Sequence, residues 1–211
     1  MPVPNDYLKL PGAAPGLKTP DGIEPSVERI GNQNDLIVSQ LHGKMYEQSL
    51  RLNMFFAANQ AATTTTIALA TTYTGFCLSN PAGNTKNVVP RQVAIMETTA
   101  PGALSGFAIA GGYAVAGVVT HTTPLTPYST VLGNGQTATA KADAAATLVG
   151  TPLVILPLTG VDDAADIQRH GPTIVDLQGS IIIPPGGYVF VYTLTVHTGM
   201  FAGMTWEEVP V

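Results

Sequence analysis

Charge is the scarcest property of this 211-residue chain: Asp, Glu, Lys and Arg make up 11 % of it, with 14 acidic and 9 basic residues. An average soluble domain carries roughly 25 %. The net charge of −5, with no cluster of Lys or Arg, excludes a phosphate backbone as partner, so no direct nucleic-acid contact is expected. Cysteine is nearly absent too. A single Cys77 excludes an internal disulfide and a cysteine-only metal site. Its setting, Gly75-Phe76-Cys77-Leu78, reads as a small core residue rather than a nucleophile. Long apolar runs are also missing. The longest chargeless stretch, Thr98–Ala140, is broken throughout by Pro, Gly, Thr and Asn. No window approaches the roughly 20 apolar residues of a spanning helix, and Met1–Asp6 lacks the basic-then-apolar opening of a secretory signal. No membrane partner is expected.

What is abundant is apolar residue content, at 45 %, with a mean hydropathy of +0.23. A surface with so little charge and so large an apolar load tends to be covered by something else. The expectation is a structural protein that packs into an assembly.

The charge divides the chain. Residues 1–60 hold eleven charged residues, whereas 61–140 hold only Lys86, Arg91 and Glu97. Pro2, Pro4, Pro11, Pro15, Pro20 and Pro25 punctuate the first segment. Proline at this density fixes φ and removes donors, which predicts an extended N-terminal arm over 1–32. Such a segment would be mobile alone, and a neighbouring subunit is expected to hold it. A short helix is expected over Gln33–His42, capped by Asn34 or Asp35 and ended by Gly43. Tyr46, Leu50, Leu52, Met54 and Phe56 then alternate with polar residues, which reads as a first strand, so that 33–60 holds one helix and one strand. A helical reading through Met45, Leu52, Phe55 and Phe56 competes with it.

The body, 61–211, reads as short strands and turns. Strands are expected at Thr64–Thr71, Gly75–Ser79, Val88–Glu97, Leu104–Ala110, Tyr113–His121, Leu153–Leu158, Thr173–Leu177, Ser180–Ile183 and Phe201–Val209. Turns are expected at Asn80–Asn84, Ala100–Gly102 and Gly111-Gly112, with a hairpin turn at Gly133–Gln136. Pro185-Gly186 suits a type II turn. Beyond it, Tyr188, Phe190 and Tyr192 alternate with Val189, Val191 and Thr193, the pattern of a central strand covered on both sides. The fold class is therefore all-β: an antiparallel sandwich or jelly roll with an extended arm and one short helix.

Candidates for chemistry are few. His42, His121, His170 and His197 lack the i, i+4 spacing of helical zinc sites; His121 and His197 sit at strand ends and could meet in space, although hydrogen-bonded strand-edge histidines are the ordinary reading. Asp162, Asp163 and Asp166 could ligate a hard cation, but read as a solvated loop. Glu207 and Glu208, adjacent on the last strand, should point to opposite faces and cannot flank one glycosidic bond together. Ser105 lies in Ala103-Leu104-Ser105-Gly106, which is no nucleophile elbow. Trp206 and the tyrosines could stack on sugars, but read as core or interface residues. No enzymatic activity, no cofactor and no metal are expected.

Several segments resemble a known set as a group: Leu41–Gln48, Asn53–Ala57, Cys77–Val88, Ile183–Gly187 and Thr205–Val211. Together they resemble small virion structural proteins of tailed bacteriophages, over most of 33–211. The resemblance implies a β-sandwich subunit of the particle, a head decoration (cement) protein. It would contact the major capsid protein and copies of itself, as a trimer or dimer, and be located in the virion. Two alternatives stand beside it: a tail- or fibre-associated glycan-binding module, and a polysaccharide-degrading enzyme.

Overall fold

The computed structural model describes residues 43–66, 69–99, 105–114, 119–161 and 172–211. The proline-rich arm, the helix expected over 33–42, the turn at Ala100–Gly102 and the Asp162–Asp166 cluster lie outside them. Among the described residues of the unit Met45–Val211, the regular secondary structure is nearly all β. Among the described residues one short helix, α1 (Tyr46–Leu50), precedes eleven strands: β1 (Met54–Ala58), β2 (Thr72–Ser79), β3 (Lys86–Glu97), β4 (Ser105–Tyr113), β5 (Thr120–Leu125), β6 (Tyr128–Ser129), β7 (Lys141–Thr147), β8 (Leu153–Val161), β9 (Thr173–Asp176), β10 (Gly187–Thr193) and β11 (Met200–Pro210).

The strands form two antiparallel sheets, ordered β6-β1-β11-β3-β9 and β5-β7-β2-β10-β4-β8. Phe55, Val93, Ile95 and Trp206 from the first sheet meet Phe76, Leu78, Ile109, Val189 and Val191 from the second in one buried cluster. This is the β-sandwich expected from the strand pattern. Every pairing described joins strands that are not neighbours in sequence.

β10 behaves as its alternation predicts. Gly186 has φ +90° and Gly187 N–H donates to Pro184 O at 2.9 Å, so the turn ahead of it closes as expected. Val189 and Val191 face the intersheet core, while Tyr188 and Phe190 join a second cluster with Tyr73, Cys77, Ala146 and Leu148. The bulky aromatic face thus lies away from the partner sheet, under a layer that includes Val119 and Leu69. Cys77 is fully buried there, and burial pushes its thiol well above the usual range.

Six expectations need correction. Tyr113–His121 is not one strand: β4 ends at Tyr113 and β5 begins at Thr120, with Ala114 and Val119 outside both. Tyr46–Leu50 is helical, and the first strand begins only at Met54. Gly111-Gly112 is no turn: both lie inside β4, against β10. A Cβ on Gly111 would sit 2.5 Å from Tyr188 O, so glycine there permits close backbone approach rather than chain reversal. Gly133–Gln136 makes no hairpin, because β6 and β7 lie in different sheets. Thr64–Thr66 form no strand, because the chain enters only an isolated bridge, Thr63 to Met200, and Thr65 spends its hydroxyl on side-chain bonds. Ser180–Ile183 likewise contributes one bridge, Ile183 to Val88.

Candidate functional site

A buried polar cluster sits at one end of the sandwich, where chain crosses from sheet to sheet. Glu97 ends β3 in the five-stranded sheet, and Ser105 opens β4 in the six-stranded one. His197 lies in the connection from β10 to β11. Backbone pairing fixes all three, Ser105 through its register with Val161 of β8. Glu97 is in register with Met200, and Thr98 N–H donates to Gly199 O at 2.8 Å. Thr65 N–H donates to His197 O at 2.8 Å, and His197 N–H returns a bond to Thr65 Oγ1 at 3.0 Å. Thr65 Oγ1 lies 2.9 Å from Thr193 Oγ1.

This frame holds the imidazole in one place. His197 is fully buried, with the Phe107 ring 4.9 Å away between centroids. Its Nδ1 is bonded to Glu97 Oε1 and its Nε2 lies 2.7 Å from Ser105 Oγ. A carboxylate only accepts, so Nδ1 carries the proton and donates it to Glu97. Nε2 then accepts from the Ser105 hydroxyl. Thr195 N–H also donates to Ser105 Oγ, at 3.2 Å. Ser105 lines an open cleft of about 390 Å³ whose other walls include Phe107, Val154, Leu158 and Leu194.

The other polar residues are kept apart from this cluster. His121 does not meet His197; its Nδ1 lies 2.7 Å from Oδ2 of the buried Asp143. Burial raises the Asp143 carboxyl, and its hydrogen bond to His121 opposes that. Among the described residues no group of His, Cys, Asp and Glu is arranged to hold a metal ion. Glu208 is fully buried and accepts from Thr139 N–H at 2.7 Å and Ala140 N–H at 2.9 Å, with Lys86 Nζ at 3.3 Å. Glu207 pairs instead with Arg91 Nη2 at 2.8 Å. The two carboxylates have separate partners, and neither opens on a shared cleft.

Trp206 is 0 % exposed and stacks with Phe55 at 6.4 Å, which removes it as a sugar platform. Tyr73 and Tyr188 are buried as well; their hydroxyls donate to Val191 O at 2.7 Å and Val149 O at 2.6 Å. Tyr113 and Tyr128 are exposed, but on different sheets.

Outward-facing apolar side chains gather on β8, the outer strand of the six-stranded sheet. Its nine residues, LVILPLTGV, carry no charge. Leu153, Val154 and Ile155 are 65, 45 and 48 % exposed. Among the described residues no helix is long and apolar enough to cross a membrane.

In the sequence His197 is a candidate only for metal binding, and Ser105 is set only against a local motif. Their union was not legible, since the bonds to His197 span 92 and 100 residues. Compared with known proteins, the chain has no significant match to any family model, any curated protein or any solved structure.

Proposed function

We propose that the chain is a structural subunit of a tailed-phage virion, a decoration or cement protein that stabilises the head by contacts with the major capsid protein and with copies of itself. The observation that carries the packing role is β8. An outer strand is normally guarded by charge, brevity or proline. The other outer strands follow that rule: β5 is Thr-rich with Pro124, β6 has two residues and β9 has four, ending on Asp176. β8 carries one such guard, Pro157, yet at nine residues it is the longest outer strand described and offers a chargeless, apolar, exposed run. The virion setting comes from the sequence resemblance.

Pro157 and the register shifts opposite Phe107/Ala108 and Ile109/Ala110 interrupt β8. Contact through it therefore works by burying side chains more than by adding a strand. The test is quantitative mass spectrometry and imaging of purified particles, paired with light scattering of the isolated protein. Many copies per head and an oligomer dissociated by Ile155→Lys are expected. A few copies per particle, or a monomer at every concentration, would remove the cement role.

A further inference from the structure

We propose that Ser105, His197 and Glu97 form a nucleophilic acyl-transfer site that hydrolyses small uncharged esters with an apolar acyl group. The claim does not rest on the assembly role, though it shares Val154 and Leu158 of β8 with it; it rests on the geometry of this one end of the sandwich.

The three side chains stand in the order nucleophile, base, orienter. Glu97 holds the Nδ1 proton, which leaves Nε2 unprotonated and 2.7 Å from Ser105 Oγ. Thr195 N–H occupies one lone pair of that oxygen at 3.2 Å, so Nε2 is the acceptor left for the hydroxyl proton. Burial separates the roles. His197 is wholly enclosed, whereas Ser105 reaches the cleft. A histidine bonded only to tie the two sheets together has no need for its partner hydroxyl to face an open cavity.

The cleft names the substrate class. Phe107, Val154, Leu158 and Leu194 supply apolar walls, and among the described residues no charged side chain lines it. An apolar acyl chain fits such walls, and a charged one would lose its hydration without compensation.

The steps balance without any further reagent than water. Ser105 Oγ bonds to the ester carbonyl carbon as its proton passes to Nε2, and the imidazolium so formed faces the Glu97 carboxylate. Collapse breaks the bond to the leaving oxygen, which takes the proton from Nε2 and departs as an alcohol. Water then attacks the acyl-Ser105, giving one proton to Nε2. Release of the carboxylic acid returns that proton to Oγ.

The experiment treats the full chain with an alkyl fluorophosphonate and, separately, with p-nitrophenyl acetate and butyrate. A covalent adduct on Ser105, located by peptide mass spectrometry, is expected. Ser105→Ala should abolish it and lower p-nitrophenolate release by about 100-fold or more. Glu97→Gln should lower release by about 10-fold or more and change its pH profile, because the amide cannot hold the imidazole proton in the same way. Adduct mapping on the unaltered protein does not depend on how any variant folds. No adduct at Ser105, an adduct only at another residue, or equal release by a folded Ser105→Ala protein would overturn the assignment.

Discussion

Glu208 gives the sharpest test of what holds the sandwich together. Its side chain is fully buried on β11, and Oε1 accepts from both Thr139 and Ala140 N–H groups while Oε2 accepts from the Thr139 hydroxyl at 2.7 Å. Glu208→Ala leaves those donors without an acceptor, at about 1–3 kcal/mol for each buried one. Ala140 is fully buried, whereas Thr139 is only half-buried and regains some hydration. Lys86, 27 % exposed, loses little once it turns to solvent. The sum is about 3–5 kcal/mol, the range for removing one partner of a buried pair. Glu208→Gln keeps Oε1 for the two N–H groups but sets an amide nitrogen beside Lys86, so about 1–2 kcal/mol is expected. Urea unfolding at neutral pH, followed by the fluorescence of the single, buried Trp206, measures both. Glu208→Ala within about 1 kcal/mol of the unaltered protein, as for an ordinary surface change, would refute the reasoning. So would equal losses for the two variants.

Other outcomes follow from the same geometry. Gly111→Ala should cost about 1–3 kcal/mol in thermal unfolding, because the atom 2.5 Å from the new Cβ is the Tyr188 carbonyl oxygen and backbone cannot step aside. Asp143 has its carboxyl raised by burial, so the folded state binds its proton more tightly than the unfolded chain does. Its contribution is fully present below the ordinary carboxylate range and is lost as pH rises through the raised value. The stability of the unaltered protein relative to Asp143→Asn should therefore fall as pH rises from 4 towards neutrality, and a rise would contradict this. Cys77, buried with its thiol pushed up, should resist a disulfide reagent in the native protein and react in denaturant; rapid native labelling would place it elsewhere. Removing residues 1–32 should leave circular dichroism unchanged and weaken assembly, as size-exclusion chromatography would register.

The legible parts of the fold are those in which local pattern and burial agree. β3, β10 and β11 carry long period-two runs, and Pro185-Gly186 announces its own turn. β7 was invisible because Lys141–Thr147 is alanine-rich, a poor strand former; it is a strand because Ala142 and Ala146 are small enough to bury closely beside β2. Tyr46–Leu50 misled because alternation over five residues also fits a single helical turn. Glycine misled at Gly111-Gly112, where it marks proximity and not reversal. The Ser105–His197–Glu97 cluster had no local signal at all, since its members are brought together by the sheet-to-sheet crossings.

Non-sequential pairing has a consequence for how the molecule is made. Among the described residues no strand bonds to its immediate successor, so no hairpin forms early to template the rest. β11 lies between β1 and β3, and it leaves the ribosome after the ten other described strands. Until it is synthesised, the intersheet faces of β1 and β3 wait without the strand that joins them. Contacts this distant in sequence fold slowly and leave apolar surface open to aggregation meanwhile. Nascent chains truncated before Met200 should therefore be protease-sensitive throughout, and the sandwich should gain resistance in one late step.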